Sequence, residues 1–205
     1  MLTRYARAAT RRVLTPLARG LLRIGIGPDL VTVLGTLGVC VGALAFYPRG
    51  VFFLGSAVIT LFVLLDTVDG TMARLAGRRS SWGAFLDSTL DRVADGAIFG
   101  GLALWYAGRG DDLVLCAVAI YCLVSGAVVP YAKARAEGLG MTADVGIAER
   151  ADRLTLVLVC TGLSGLGVPY LREAGLWVLA AAATVTVIQR MVVVRRQAIS
   201  HQAAP

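Results

Sequence analysis

The chain has one histidine in 205 residues, His201, and it falls in a polar tail where it reads as inert. Its four cysteines, Cys40, Cys116, Cys122 and Cys160, lie inside apolar stretches with no paired spacing. That argues against disulfides and thiolate ligands and leaves them as small packing residues. Charge is scarce too: Asp, Glu, Lys and Arg make up 16% of the chain against 57% hydrophobic residues, and the mean hydropathy is +0.74. A soluble domain of this size is not so apolar, and the apolarity is too evenly spread for a soluble domain with one anchor. No internal repeat is visible, nor the inverted repeat common in transporters. The first 24 residues alternate Arg with Leu and Ala and lack a continuous apolar centre, so no cleavable signal is expected.

What is present is the pattern of one integral membrane domain. Apolar stretches near the spanning length of about 20 residues occupy 29–47, 51–73, 83–107, 112–136, 153–169 and 174–194. They predict an all-α fold of six transmembrane helices over residues 25–205. Lys and Arg are retained on the cytoplasmic side of a membrane. With the N-terminus inside, 17 of the 20 such residues fall on that side and only Arg49, Arg109 and Arg172 on the other. Both termini and the aspartates discussed below are therefore expected at the cytoplasmic surface. The net charge of +7 is concentrated on one face, where anionic lipid or a phosphorylated substrate meets it. No nucleic-acid partner is expected, because spanning segments interrupt the basic residues and leave no separate basic module.

Residues 1–24 carry Arg on one side of a helical projection and Leu2, Tyr5, Val13, Leu14, Leu17 and Leu21 on another. This predicts a juxtamembrane amphipathic helix on the cytoplasmic leaflet, with a disordered basic tail as the alternative. Gly25, Gly27 and Pro28 break it before the first span, with Asp29 as a candidate N-cap. The loops at 47–50, 107–112 and 169–173 leave no room for an outer domain, whereas 76–81 and 137–150 are longer and charged. Function is to be sought inside. Gly38 with Gly42, and Gly96 with Gly100, recur at the spacing that lets helix backbones approach, within one chain or across a dimer seam.

Four aspartates stand where a membrane helix tolerates few: Asp66 and Asp69 close the second apolar stretch, and Asp87 and Asp91 open the third. Ionised groups at membrane depth are costly and therefore usually functional. Spacings of three and four put each pair on one helix face, so two helices joined by a short loop bring four carboxylates to one point. Oxygen donors with no His or Cys nearby are hard ligands, which select Mg²⁺ or Mn²⁺ over zinc. Four suffice for two ions, the pairing that clamps attacking and leaving oxygens in phosphoryl displacement. Gly70 lets a ligand approach the backbone between carboxylates, and Arg74 offers a planar fork suited to phosphate. The ordinary alternative is a charged helix cap in which the acids pair with Arg74, Arg78, Arg79 and Arg92. The full register, with Gly70 and Arg74, favours the metal site.

The pattern Asp66-x2-Asp69-Gly70-x2-Ala73-Arg74-x8-Gly83-x3-Asp87-x3-Asp91 resembles the signature of the CDP-alcohol phosphotransferases, with all eight fixed positions present. The resemblance extends over nearly the whole chain, because members of that family have six membrane helices with the signature on the second and third. It implies a transfer in which a hydroxyl attacks the β-phosphorus of a CDP-linked lipid and CMP leaves. It further implies that Asp66, Asp69, Asp87 and Asp91 hold two Mg²⁺ or Mn²⁺ ions, with Asp91 also the general base. Asp69, Gly70, Ala73 and Arg74 would lie against CDP-diacylglycerol. Many members open their first helix with Pro-Asn before a Thr, whereas this chain has Pro28-Asp29-Leu30-Val31-Thr32; Asp29 and Thr32 are carried over as CDP-binding on that basis. An isologous homodimer in a bacterial plasma membrane is the family expectation.

The acceptor alcohol must be read from the last three helices. Lys133 and Arg135 end the fourth, Arg150 and Arg153 start the fifth, and Arg190, Arg195 and Arg196 end the sixth. Converging cations make a phosphate pocket, although retention of positive charge inside explains any two of them as well. The stretches 131–137, 147–153 and Gln189-Arg190 resemble the actinobacterial phosphatidylinositol-phosphate synthases within the family. That implies inositol 1-phosphate as acceptor, gripped by Lys133, Arg135, Arg153 and Arg190, with glycerol 3-phosphate as the alternative. Asp95 continues the run one turn beyond Asp91 and is expected to hold Arg92 or a metal ligand in place. Two other classes also carry acids in membranes. A carrier is expected to use mid-bilayer positions and broken helices, and a membrane prenyltransferase two separated Asp clusters; neither pattern is seen.

Overall fold

The computed structural model describes residues 15, 16, 18–75 and 80–202, and their side chains other than those of residues 67, 69, 73, 74, 201 and 202. Among the described residues every regular element is helical. Six α-helices follow one another: α1 (Pro28–Phe46), α2 (Phe52–Leu75), α3 (Ser81–Ala107), α4 (Leu113–Glu137), α5 (Arg150–Gly165) and α6 (Leu171–Gln202). A 3₁₀ turn, Tyr47–Arg49, joins the first two. The six apolar stretches predict these helices to within a few residues at their starts. Pro28 opens α1, where its missing N–H costs nothing, so the cap position falls on Gly27 and Asp29, expected as the N-cap, lies inside the first turn. The Ser80 hydroxyl caps α3 by accepting from the Gly83 N–H at 3.0 Å, and the Asp112 carboxylate caps α4 by accepting from Leu115 at 2.9 Å.

The helices pack as a closed circuit in the order α1, α2, α5, α6, α4, α3 and back to α1. One apolar core runs through it, with Val39, Tyr47, Ile59, Phe99, Leu102, Val157 and Leu176 nearly or fully enclosed. Small residues set the closeness of the contacts. A Cβ at Gly38 would fall 2.2 Å from the Phe62 ring, and one at Gly101 would fall 2.9 Å from the Ala43 carbonyl oxygen. Gly100, expected to pack, meets nothing within 4 Å; its neighbour Gly101 takes that role. The outer face of α1 is the reverse of a soluble helix. Leu30, Leu34, Leu37, Val41 and Leu44 are exposed, while Thr32, Gly35, Thr36 and Gly42 turn inward. Large apolar side chains outside and small or polar ones inside suit a hydrocarbon solvent.

Among the described residues, four helices are long and apolar enough to cross a membrane: residues 28–49, 52–72, 113–137 and 171–200. The other two fall short for identifiable reasons. α3 carries Asp87, Asp91, Arg92 and Asp95 between its start and its middle turn, and α5 has 16 residues, about 24 Å at 1.5 Å per residue against a hydrocarbon core of about 30 Å. Of the amphipathic segment expected over 1–24, residues 15, 16 and 18–23 are helical and residues 1–14 and 17 lie outside the described set. Ala18 is fully buried against Val68 and Met72, with Leu21 and Leu22 beside it, so this turn of helix seals the last part of α2.

Candidate active site

Up-and-down connectivity brings the start of α1, the end of α2, the start of α3, the end of α4, the start of α5 and the end of α6 to one end of the bundle. The acids lie there. Asp66, Asp87 and Asp91 offer carboxylate oxygens that all lie within 4.8 Å of one another. The room for Asp66 comes from α1, where a Cβ at Gly35 would sit 3.4 Å from the Asp66 carboxylate. Three carboxylates so close are mutually repulsive unless cations share them. The donors are all oxygen, so the cluster fits a hard divalent cation of the Mg²⁺ or Mn²⁺ kind. Asp69, Ala73 and Arg74 lie on the same length of α2, but their side chains are outside the described set. A Cβ at Gly70 would meet nothing within 4 Å, so the backbone there is open to approach.

The first turn of α1 lies beside the first turn of α3. The Trp82 indole N–H donates to Asp29 Oδ2 at 3.1 Å, and a Cβ on Gly83 would lie 3.9 Å from Asp29 Oδ1. Asp29 therefore sits beside the last helix to contribute acids. Thr32 is buried, and its hydroxyl donates to the Pro28 carbonyl at 3.1 Å.

A cavity of about 950 Å³ opens between α3, α4, α5 and α6. Asp91 lines it together with Arg92, Lys133, Arg150, Arg153 and Arg190, so the same carboxylate that joins the acidic cluster also faces five cations. Three of the four residues expected to grip the acceptor phosphate are in this wall. The fourth, Arg135, is exposed on α4 and does not line the cavity.

The cations are held by protein oxygens. Arg153 is only 3% exposed; its Nη2 lies 3.2 Å from Asp95 Oδ2 and donates to the Gly126 carbonyl at 3.2 Å. Proline explains why that carbonyl is available. Pro130, inside α4, lacks the N–H that would bond four residues back, and Arg153 takes the vacated acceptor. Arg190, also buried, donates from Nε to the Val145 carbonyl at 2.9 Å and from Nη1 to the Val129 carbonyl. Lys133 pairs with Asp144 and lies 3.8 Å from Glu137. The hydrogen bond from Lys133 holds the exposed Asp144 carboxyl below the usual carboxylate range.

Residues 138–149 are strapped across α6. The Thr186 hydroxyl accepts from the Ile147 and Ala148 N–H groups at 3.2 Å each, and Gln197 exchanges bonds with Thr142 at 2.9 and 2.7 Å. Of this segment only Glu149 lines the cavity.

Two participants exceed what the spacing reveals. Arg150 Nη1 lies 2.8 Å from Asp91 Oδ1, and its Nε lies 3.4 Å from Asp95 Oδ1. Asp95, expected to hold Arg92, does lie 3.6 Å from it, but binds Arg150 and Arg153 of α5 more closely. The signal in the sequence was Glu149-Arg150-Ala151-Asp152-Arg153, whose two arginines three apart share a helix face. Nothing local says which acid they meet.

A family model for CDP-alcohol phosphatidyltransferase matches residues 26–188. The chain belongs to the CDP-alcohol phosphatidyltransferase family. The match takes in all six helices at least in part and every residue of the acidic signature. A phosphatidylinositol phosphate synthase of Streptomyces avermitilis is 59% identical over 211 aligned positions, covering 100% of this chain and 86% of that one. The Cutibacterium acnes protein of the same name is 46% identical over 200 positions, covering 94% and 97%. Among solved structures, the Mycobacterium tuberculosis phosphatidylinositol phosphate synthase with CDP-DAG bound matches with a TM-score of 0.86 at 45% identity, covering 89% of this chain and 94% of that one. The same enzyme solved with manganese and citrate gives a TM-score of 0.85 at 44% identity, covering 88% of each.

Proposed function

We propose that this family member transfers the phosphatidyl group of CDP-diacylglycerol to inositol 1-phosphate, giving phosphatidylinositol phosphate and CMP. The acceptor hydroxyl oxygen attacks the β-phosphorus, which carries the diacylglycerol. The bond from that phosphorus to the CMP oxygen breaks, CMP leaves with the electron pair, and Asp91 takes the hydroxyl proton. One observation carries the reading: Asp91 stands both in the group of three acids that meet within 4.8 Å and in the wall of the cationic cavity. A proton acceptor belongs where donor lipid and acceptor alcohol adjoin.

Asp66, Asp69, Asp87 and Asp91 are assigned to two Mg²⁺ or Mn²⁺ ions. Bound there, the metal supplies positive charge against the pyrophosphate and the departing CMP. Manganese in the related mycobacterial enzyme supports the assignment. Asp29, Thr32, Asp69, Gly70, Ala73 and Arg74 are assigned to CDP-diacylglycerol, and the bound CDP-DAG of that relative supports a nucleotide-lipid donor. Lys133, Arg153 and Arg190, with Arg135 on the same helix as Lys133, are assigned to the acceptor phosphate. Inositol 1-phosphate is preferred to glycerol 3-phosphate because the relatives bear the name phosphatidylinositol phosphate synthase.

All six helices are taken to span the bacterial plasma membrane. The first 24 residues then lie on the cytoplasmic leaflet, and the active site faces the cytoplasm as 17 of 20 basic residues do. A homodimer is the expected assembly.

The test is CMP release by purified protein in detergent from CDP-diacylglycerol with Mn²⁺ or Mg²⁺. Release that depends on inositol 1-phosphate is expected. Faster release with glycerol 3-phosphate would replace the acceptor assignment. No release with either acceptor, from protein that binds the lipid, would overturn the transferase reading.

A further inference from the structure

We propose that Asp95, outside the acidic signature, is a positioning residue that ties the acceptor-phosphate cations to the catalytic carboxylate through Arg150. The inference rests on the transferase reading above. Asp95 is 4% exposed, and three guanidinium groups surround it: Arg92 at 3.6 Å from its own helix, and Arg150 at 3.4 Å and Arg153 at 3.2 Å from α5. A single carboxylate so enclosed by cations is an anchor, because each arginine fork has few orientations that keep a planar bond to it.

The anchor has direction. Arg150 does not end on Asp95; its Nη1 continues to Asp91 Oδ1 at 2.8 Å, so Asp95, Arg150 and Asp91 form one chain from the buried core to the reacting end. Arg153 is turned the same way, into the cavity wall, by Asp95 on one side and the carbonyl freed by Pro130 on the other. Asp91 and Asp95 are one helical turn apart on α3, and Arg150 and Arg153 are three apart on α5, so the two helices meet through paired faces. Neutralising Asp95 removes the common partner of both α5 arginines and so loosens Arg150 at Asp91, while among the described residues neither arginine is ion-paired with Asp66 or Asp87. Acceptor binding should suffer, and donor-lipid binding should not. A residue that merely kept the bundle folded would damage both.

The experiment uses the full chain in detergent and the variants Asp95→Asn, Arg150→Gln and the two combined. Inositol 1-phosphate and inorganic phosphate binding are measured by calorimetry on metal-free protein, and the KM values of acceptor and CDP-lipid in the CMP-release assay. Each single variant is expected to weaken phosphate binding and raise the acceptor KM by about tenfold or more, with the CDP-lipid KM within about threefold of wild type. The combined variant is expected to be little worse than the worse single, because residues acting through one contact are not additive. Multiplying effects, or equal loss of lipid and phosphate affinity, would overturn the proposal. So would unchanged phosphate binding in both singles. If Asp95→Asn fails to fold, Arg150→Gln decides alone, since the Arg150 side chain is 25% exposed and tolerates replacement better; an acceptor KM within about twofold of wild type then refutes it. Wild-type protein that binds phosphate but releases no CMP separates failure of the transferase reading from failure of this one.

Discussion

Replacing Asp91 with Asn tests the proposed chemistry with the least disturbance of shape. The side chain keeps its volume and its oxygen but loses its charge and its ability to take a proton. Positioned acid–base groups contribute about 10²- to 10⁴-fold to a rate, which at 1.36 kcal/mol per tenfold is about 3–5 kcal/mol of barrier. The fold should hold, because the side chain is 17% exposed and its strongest partner, Arg150, keeps its contact with Asp95 at 3.4 Å. The variant should therefore bind CDP-diacylglycerol within about threefold of wild type while turnover falls by about a thousandfold. A contribution from lost metal affinity separates by titration: the part of the defect that saturating Mn²⁺ repairs belongs to ligation, and the remainder to proton transfer. Turnover within tenfold of wild type at saturating Mn²⁺, lipid and acceptor would refute the assignment of Asp91 as base.

Chelation with EDTA should abolish CMP release, and added Mn²⁺ or Mg²⁺ should restore it, whereas Zn²⁺ should restore little because the donors are all carboxylate. Arg153→Ala removes a buried charge-assisted bond worth about 1.5–3 kcal/mol; the acceptor KM should rise about tenfold or more with the CDP-lipid KM nearly unchanged, as substrate titrations will report. Gly101→Ala places a methyl 2.9 Å from the Ala43 carbonyl oxygen and should cost about 1–3 kcal/mol, visible as earlier thermal inactivation in detergent with unaltered KM values.

The helices were legible because hydropathy is a local property: each stretch of about 20 apolar residues announces its own element, and Pro28 marks a start by backbone chemistry alone; the caps at Ser80 and Asp112 came from the structure. The acidic cluster was legible because three and four are helical spacings, so Asp87 and Asp91 must share a face wherever the helix goes. Span number was less so. Hydropathy counts six stretches, yet among the described residues the charges on α3 and the brevity of α5 leave four helices long and apolar enough to cross by themselves.

The sequence by itself determined the all-helical class, the concentration of basic residues at one end and the acids that hard metals prefer, since each follows from residue type and nearest spacing. Only the tertiary structure decided that Arg150 meets Asp91, that Arg153 meets Asp95, that Gly101 and not Gly100 packs against α1, and that a carbonyl released by Pro130 is recovered by an arginine 27 residues away. Those pairings depend on the order in which helices close the circuit and on their rotation about their own axes. Both are settled by the summed fit of many small side chains, which no single spacing along the chain encodes.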